Sequence, residues 1–179
     1  TNTQKVPKHF PARSRHVQLG RLIAANQMIG GVMGAAVFLV AVRQAVAGFL
    51  PFLAWLAMLS LYGLAVRAGL SLWRDEPCGY RHSLAIQLCQ LIQLVTPMVG
   101  FVFSCGAQVT LSYSKAASNL GAAFTSAGFI QLSGQSPFSI TVNLVAALSA
   151  LWLVRAIRTV HQSPSKAAEP SHGVAADGA

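Results

Sequence analysis

The chain has 179 residues, of which 54% are apolar and only 9% are charged. A soluble domain carries about a quarter charged residues, so this composition predicts a membrane protein and argues against an ordinary water-facing surface. Lys and Arg outnumber Asp and Glu by 13 to 4. These charges flank the apolar runs, and no nucleic-acid-binding motif is present, so we do not expect nucleic acid as a partner. The three cysteines have no CxxC spacing, which argues against a disulfide framework or a zinc site.

The first 18 residues are basic and lack apolar periodicity. Residues 1–18 contain Lys5, Lys8, Arg13 and Arg15. We predict a flexible cytoplasmic arm that acts chiefly as a topology signal. Anionic lipid headgroups would attract it by about 1 kcal/mol for each basic residue near the membrane surface.

A first membrane span is predicted at about 21–46, because this apolar run is too long for the core of a cleaved signal peptide. Gly30 and Gly34 have GxxxG spacing, and Gly31 and Gln27 lie on the same helix face. Small residues let helix backbones approach closely in lipid. This face therefore predicts a helix-packing seam.

A second span is predicted at about 52–73, and it contains Arg67 well inside its apolar sequence. An ionisable residue within a membrane is a functional candidate by default. However, Arg67 lies only about 9 Å below Trp73 along a helix axis. We therefore favour a guanidinium that reaches the interface or pairs structurally over a functional charge.

The third predicted span, 83–105, is uncharged but carries a polar stripe. At helical spacing one face combines amides, small residues and a proline: Gln90, Gln93, Pro97, Gly100 and Ser104. A helix surrounded by lipid would not need such a stripe. This face is therefore expected to contact protein or water.

A fourth span is predicted at about 138–157, with Asn143, Ala147 and Ala150 on its small-residue face. This face predicts contact with another helix or a partner. Residues 159–179 are polar and poor in apolar groups. They predict a disordered cytoplasmic tail.

Between the last two spans, residues 106–136 predict a small cap on the outer face of the membrane. Polar and apolar residues alternate over 108–114, which indicates a strand. Apolar residues recur at helical spacing over 116–127, and 128–134 could form a second strand. The cap is thus a short β-hairpin or an amphipathic helix, and an extension of the third span through Tyr113 remains open.

The predicted fold is an all-α integral membrane protein, with four transmembrane helices bundled within residues 19–158. Basic residues concentrate on the side of both termini, and only Arg43 and Lys115 fall on the opposite side. The positive-inside rule therefore predicts that both termini are cytoplasmic. The layout resembles small four-span bacterial inner-membrane proteins, and the alanine-rich, lysine-poor composition suits a bacterium. The resemblance implies the bacterial cytoplasmic membrane as the location.

Several polar residues are predicted to form one layer in the inner half of the membrane. The members of this layer are Asn26, Gln27, Arg67, Gln87, Gln90 and Gln93. Buried amides must find partners in a membrane. We expect hydrogen bonds between helices, with Arg67 donating to Gln87 or Gln90, and we favour this structural role over a polar pathway.

The sequence predicts no catalytic, cofactor or metal site. No Asp, Glu or His lies in the middle of a predicted span, so a membrane carboxylate or a buried haem ligand is missing. No CxxC, phosphate-binding loop or dinucleotide fingerprint is present.

Three functions remain open on these observations. The first is a non-enzymatic accessory, assembly or stabilising subunit of a larger membrane complex, in contact with lipid and with copies of itself or other subunits. The second is a small oligomeric channel or transporter lined by the polar face of the third span. The third is a membrane enzyme or quinone-site protein that acts near Arg67 and His82.

Overall fold

The computed structural model describes residues 12–45, 48–114, 118–132 and 137–162. These residues form four helices and one antiparallel sheet of four strands. In chain order the elements are α1 (Ala12–Ala45), α2 (Phe49–Trp73), α3 (Pro77–Leu91), β1 (Ile92–Val95), β2 (Val99–Ser114), β3 (Ser118–Leu132), β4 (Ser139–Asn143) and α4 (Leu144–Gln162). The predicted all-α bundle of four membrane helices is therefore wrong.

Among the described residues, two helical segments are long and apolar enough to cross a membrane, Val17–Val40 and Phe49–Trp73. Within the most apolar 18 residues of each segment, only 33% and 17% of the residues are buried. The core helix of a soluble protein would bury most of its apolar side chains. Here large apolar side chains such as Val40 and Phe49 are 83% and 76% exposed, so both helices present apolar surface outward.

The predicted third span, 83–105, is not one helix. α3 ends at Leu91, and the chain continues as β1, a tight turn and β2. Pro97 explains the turn, because a proline disfavours helical geometry at the residue before it. Thr96 closes the turn, since its backbone N–H donates to the Val99 carbonyl over 2.8 Å.

The predicted fourth span, 138–157, is also wrong at its start. Its first residues form β4, and the helix runs from Leu144 to Gln162. The β-branched run Ile140–Val142 suits a pleated strand better than a helix.

The predicted outer cap is a long β-ribbon. The strand indicated at 108–114 lies within β2, but the helical interpretation of 116–127 is wrong because β3 occupies Ser118–Leu132. β3 pairs with β2 in continuous register from Ser118 opposite Tyr113 to Leu132 opposite Val99. Cross-strand pairing has overridden the helical spacing of the alanines.

The sheet has the order β1-β4-β2-β3, with an additional pairing of β1 and β2. β1 is antiparallel to the start of β2, β4 is antiparallel to its end, and β1 is antiparallel to β4. Three antiparallel pairings cannot close a cycle between straight strands, so β2 must bend strongly between Phe101 and Thr110. Gly106 lies in this stretch with a φ of +89°, a conformation that favours glycine.

The core lies where the ribbon crosses the α1–α2 hairpin. Tyr62 of α2 is fully buried, and its ring lies 5.4 Å from Phe38 and 5.2 Å from Phe103 between centroids. Aromatic pairs in this distance range add to the stabilisation from buried area. A second cluster joins the helix ends and is formed by Ile23, Ala24, Leu72 and Leu153.

The two terminal predictions fall largely outside the described residues. α1 begins at Ala12, so it includes the last part of the predicted arm 1–18, and residues 1–11 lie outside. α4 ends at Gln162, and residues 163–179 of the predicted tail likewise lie outside.

Candidate functional site

Gln27 and Ser83 form the centre of a buried polar contact between α1 and α3. Both side chains are fully buried. The Ser83 hydroxyl donates to Gln27 Oε1 over 2.9 Å, and Gln27 Nε2 donates to the Ser83 carbonyl over 3.2 Å. The hydroxyl also lies 3.3 Å from the Ala68 carbonyl of α2. One pair of side chains therefore connects three helices.

Two neighbouring amides connect the helices to β2. Asn26 Oδ1 accepts from the Ala107 backbone N–H over 2.7 Å, and Gln90 Oε1 accepts from the Cys105 N–H over 3.3 Å. These two bonds lie on either side of Gly106, where β2 bends. The amide oxygens therefore accept from backbone donors on both sides of the bend, and only the Cys105 bond is buried.

The predicted polar layer is thus only partly assembled. Asn26, Gln27 and Gln90 come together, and Gln87 is buried on the same helix as Gln90. Gln93 lies instead in β1, opposite Thr141 of β4.

Arg67 does not join the layer. It is exposed, and it forms no hydrogen bond to Gln87, to Gln90 or to any other described residue. The hydrogen bond predicted from Arg67 to these glutamines is not formed in the described part of the chain.

The glycine face of α1 contacts two different elements. At Gly31 and Gly34 the neighbours belong to α2, with Val66 and Tyr62 closest. At Gly30 the neighbours are the backbone atoms of Cys105 and Gly106 in β2. GxxxG spacing predicted a close approach to another helix, and it could not reveal that the neighbour at Gly30 is a strand.

Asn143 acts as the N-cap of α4. Its Oδ1 accepts from the backbone N–H groups of Val145 and Ala146 over 3.1 and 3.3 Å. Of the other two residues predicted on this face, Ala150 is buried and Ala147 is partly buried.

An open cleft of about 210 Å³ lies between α2 and α3. It contains the two polar residues Arg67 and His82, and the complete lining is Leu64, Arg67, Ala68, His82, Ala85 and Ile86. We call it the Arg67–His82 cleft. Pockets that enclose a small molecule have volumes of roughly 300–1,000 Å³, so this cleft fits a smaller group than a quinone ring with its tail.

Basic side chains gather at one end of the helices. Trp152 of α4 lies 6.3 Å from Tyr80 of α3 between ring centroids, and Arg21 of α1 lies 5.7 Å from the Trp73 ring of α2. Together with the cluster of Ile23, Ala24, Leu72 and Leu153, these contacts bring the start of α1, the end of α2, the start of α3 and the later part of α4 together. The basic end carries Arg21, Arg67, Arg74, Arg81, Arg155 and Arg158.

The outer edge of β3 is open. β3 lies at one side of the sheet, and within the described residues it pairs only with β2. Its 15 residues include no proline and no charged residue. We call this backbone edge the β3 edge. Strand edges in native proteins are commonly protected by charges, prolines or bulges, and of these β3 contains neither charge nor proline.

Ser83, Tyr62 and the β3 edge are not predicted from the sequence. Ser83 was placed at the start of a span, and a serine there also suits a helix cap or a loop. Tyr62, whose hydroxyl lies 3.4 Å from the Ser104 carbonyl, carries no local signal of its long-range partner. The β3 edge was not predicted because alanines at helical spacing indicated a helix in this region.

No group of three or more His, Cys, Asp or Glu that could hold a metal ion occurs among the described residues. The chain matches no protein-family model, no curated protein and no solved structure. Function must therefore be inferred from its own geometry.

Proposed function

We propose that this chain is a non-enzymatic integral membrane protein that acts as an accessory or assembly subunit, and that the β3 edge is its contact surface. The observation that carries the proposal is an open, uncharged strand edge at the depth of two membrane-length helices. Partners would be other membrane subunits or a second copy of the chain.

The ribbon contacts α1 and α2 about halfway along their apolar segments. The ribbon contacts α1 at Gly30 and α2 at Tyr62. These residues lie near the middle of the segments Val17–Val40 and Phe49–Trp73. When the two helices cross a bilayer, this part of the ribbon lies near its centre.

An open strand edge at this depth in a bilayer would carry a high free-energy cost. Hydrocarbon offers no hydrogen-bond partner, and each unsatisfied backbone group there costs several kcal/mol. The β3 edge would therefore be covered by protein. A strand from another subunit would satisfy its N–H and C=O groups through β-augmentation.

Exposure supports the same surface. Ala122, Ala123 and Phe124 are all exposed although they follow one another along β3. Successive residues of a strand point to opposite faces, so both faces of the ribbon are uncovered here. This part of β3 has room for a partner on either face.

Charge supports an orientation. The basic end would face the cytoplasm by the positive-inside rule, with α1 beginning there and α4 ending there. Arg43, near the far end of α1, would lie on the opposite side. We place the protein in a bacterial cytoplasmic membrane on this charge distribution and on the composition.

The alternative function, a channel or transporter lined by one helix face, is not supported by this geometry. It required Gln93, Gly100 and Ser104 to follow Gln90 along one helix face, whereas these residues lie in β1 and β2. Ser104 instead bonds across the ribbon, where its hydroxyl accepts from the Ala127 N–H over 3.0 Å.

The test is copurification from native membranes in mild detergent, with mass measured for each complex. Wild-type protein is expected to run with a partner subunit or as a dimer. Ala122→Lys and Phe124→Lys are each expected to release the partner, because a charge on an edge strand opposes strand addition.

Leu148→Lys is the matched control. Leu148 is 68% exposed on α4, so this variant adds the same charge at an exposed position away from the sheet. Equal retention of the partner in all three variants would remove β3 as the contact surface. A wild-type protein that is monomeric at every detergent concentration would contradict the subunit role itself.

A further inference from the structure

The Arg67–His82 cleft holds basic side chains from two helices at the same level. The Ser83 hydroxyl of α3 lies 3.3 Å from the Ala68 carbonyl of α2, which sets the register between these helices. Arg67 and His82 each precede one of these residues, and both line the cleft. The site is therefore built by the packing of two helices and does not depend on one flexible side chain.

No carboxylate neutralises the cleft within the described residues. Arg67 has no hydrogen-bond or ion-pair partner there. Of the two nearby acids, Asp75 accepts a hydrogen bond from the Tyr80 hydroxyl. Glu76 Oε2 lies 3.7 Å from Cys78 Sγ in the turn that follows α2. Both carboxylates have partners in the turn, and neither lines the cleft.

The walls of the cleft are apolar. Of its apolar lining residues, Leu64 is 52% exposed and Ile86 is buried. A cationic group beside an exposed leucine suits a ligand with an anionic head and an apolar body. A hydrophilic anion would gain nothing from Leu64.

The depth of the cleft matches the headgroup region. Arg67 lies six residues before Trp73, about 9 Å along the helix axis. Tryptophan side chains are enriched at the membrane–water interface, and Arg21 lies over the Trp73 ring. The guanidinium therefore lies just inside the interface, where an unpaired cation is costly and lipid phosphates are within reach.

We propose that the Arg67–His82 cleft binds the phosphate of an anionic phospholipid. The Arg67 guanidinium donates two hydrogen bonds to phosphate oxygens, and an imidazole N–H of His82 donates a third. The glycerol and the first part of an acyl chain pack on Leu64. This site does not involve β3, so the lipid-binding experiment and the test of the subunit contact have independent outcomes.

The experiment is native mass spectrometry of the full chain in a neutral detergent, titrated with phosphatidylglycerol. Wild-type protein is expected to bind one lipid in preference to further copies. Arg67→Gln is expected to weaken this binding by about tenfold, as loss of a charge-assisted bidentate contact implies. His82→Ala is expected to weaken it by a smaller factor.

Arg74→Gln is the matched control, since Arg74 is exposed at the same end but does not line the cleft. It removes the same charge, and binding is expected to be unchanged. Equal losses for Arg67→Gln and Arg74→Gln would show a diffuse attraction to the basic end and would overturn the site. Unchanged binding in both Arg67→Gln and His82→Ala would overturn it as well.

One further variant and one competition measurement identify the chemistry of the ligand. Arg67→Lys keeps the charge but not the planar fork, so an intermediate affinity is expected, and full wild-type affinity would overturn the bidentate contact. Inorganic phosphate is expected not to displace phosphatidylglycerol, because phosphate cannot pack on Leu64. Displacement by inorganic phosphate would overturn the assignment to a lipid.

Discussion

A Cβ atom added to Gly30 would collide with the backbone nitrogen of Gly106. Helix α1 and strand β2 are therefore in direct backbone contact where β2 bends. The Ser126 hydroxyl of β3 donates to the Gly30 carbonyl over 2.6 Å, so both strands of the ribbon contact this one turn of α1.

Replacement of Gly30 by alanine is expected to destabilise the protein by up to about 2 kcal/mol. Strand backbone has no flexible end that could give way, so an overpacking cost of about 1–3 kcal/mol applies. The gain in helix propensity of about 1 kcal/mol offsets part of this cost. The measurement is unfolding of the detergent-solubilised protein, followed by circular dichroism.

Gly63→Ala provides the matched control. A Cβ at Gly63 has no neighbour within 4 Å, and this residue lies in the interior of α2. The substitution is therefore expected to stabilise the helix by about 0.5–1 kcal/mol. Stability changes of the same sign in both variants would contradict the Gly30–Gly106 contact.

Ser83→Ala is expected to lower the free energy of unfolding by about 1–3 kcal/mol, because Gln27 Oε1 would lose its hydrogen-bond donor in a buried place. Gln27→Leu combined with Ser83→Ala is expected to cost less than the sum of the single changes. Thermal unfolding in detergent measures all three variants. Ser60→Ala is the control, since the exposed Ser60 hydroxyl bonds only its own helix at Leu56. Strict additivity would contradict the pairing of Gln27 with Ser83.

Asn143→Ala is expected to destabilise the protein by about 1 kcal/mol, the usual cost of losing an N-cap. Asn143→Asp is expected to retain most of the stability, because aspartate also caps helices and suits the positive end of the helix dipole. Chemical unfolding of the two variants and the wild type checks the order. A wild-type value for Asn143→Ala would show that α4 does not depend on this cap.

The Tyr80 hydroxyl is expected to titrate late. Its pKa is raised from 10.0 to about 12, chiefly by burial and in addition by the hydrogen bond to Asp75 and the negative charge of that carboxylate. An unfolded tyrosine loses its proton near 10, whereas the folded one keeps it until about 12. The stabilisation is thus complete below the lower value and is lost as pH rises through the higher one.

The measurement is tyrosinate absorbance after a rapid pH jump, with Tyr80→Phe as the reference. The difference between the two proteins is expected to titrate near 12. Asp75→Asn is expected to lower the pKa only in part, because burial is the largest cause. A difference spectrum with a midpoint at the ordinary tyrosine value would contradict the burial of this hydroxyl.

The features predicted correctly from the sequence are those with strong local signals. α1 and α2 follow from long apolar runs. The strand at 108–114 follows from its alternation. Each of these features depends on residues close together in the chain.

The errors concern residues whose structure depends on distant partners. Ile92–Val95 reads equally well as helix or strand by hydrophobicity, and it forms β1 because Ser139–Val142 of β4 pairs with it. Pro97 is a local signal against one continuous helix, since the residue before a proline avoids helical geometry. A short apolar run cannot be assigned by periodicity alone.

In the candidate site, too, residues with a local sequence signal can be predicted and contacts between distant residues cannot. Arg67 can be identified from the sequence as a charge within an apolar run, and it lines the cleft together with His82. The three-helix contact at Ser83 and the open edge of β3 could not be predicted. Both depend on the register between elements far apart in sequence.

The pairing of β1 with β4 has a consequence for how the chain is assembled. Ile92 directly follows α3, Val142 lies just before α4, and the two are register partners. The chain therefore leaves and re-enters the helical part at one point, and residues 96–138 form an insertion between two helices that are already adjacent. A short turn that joins Val95 to Ser139 would keep α3 and α4 side by side, but it would remove Phe103 and so uncover Tyr62, which shows that this insertion closes the core of the helical part.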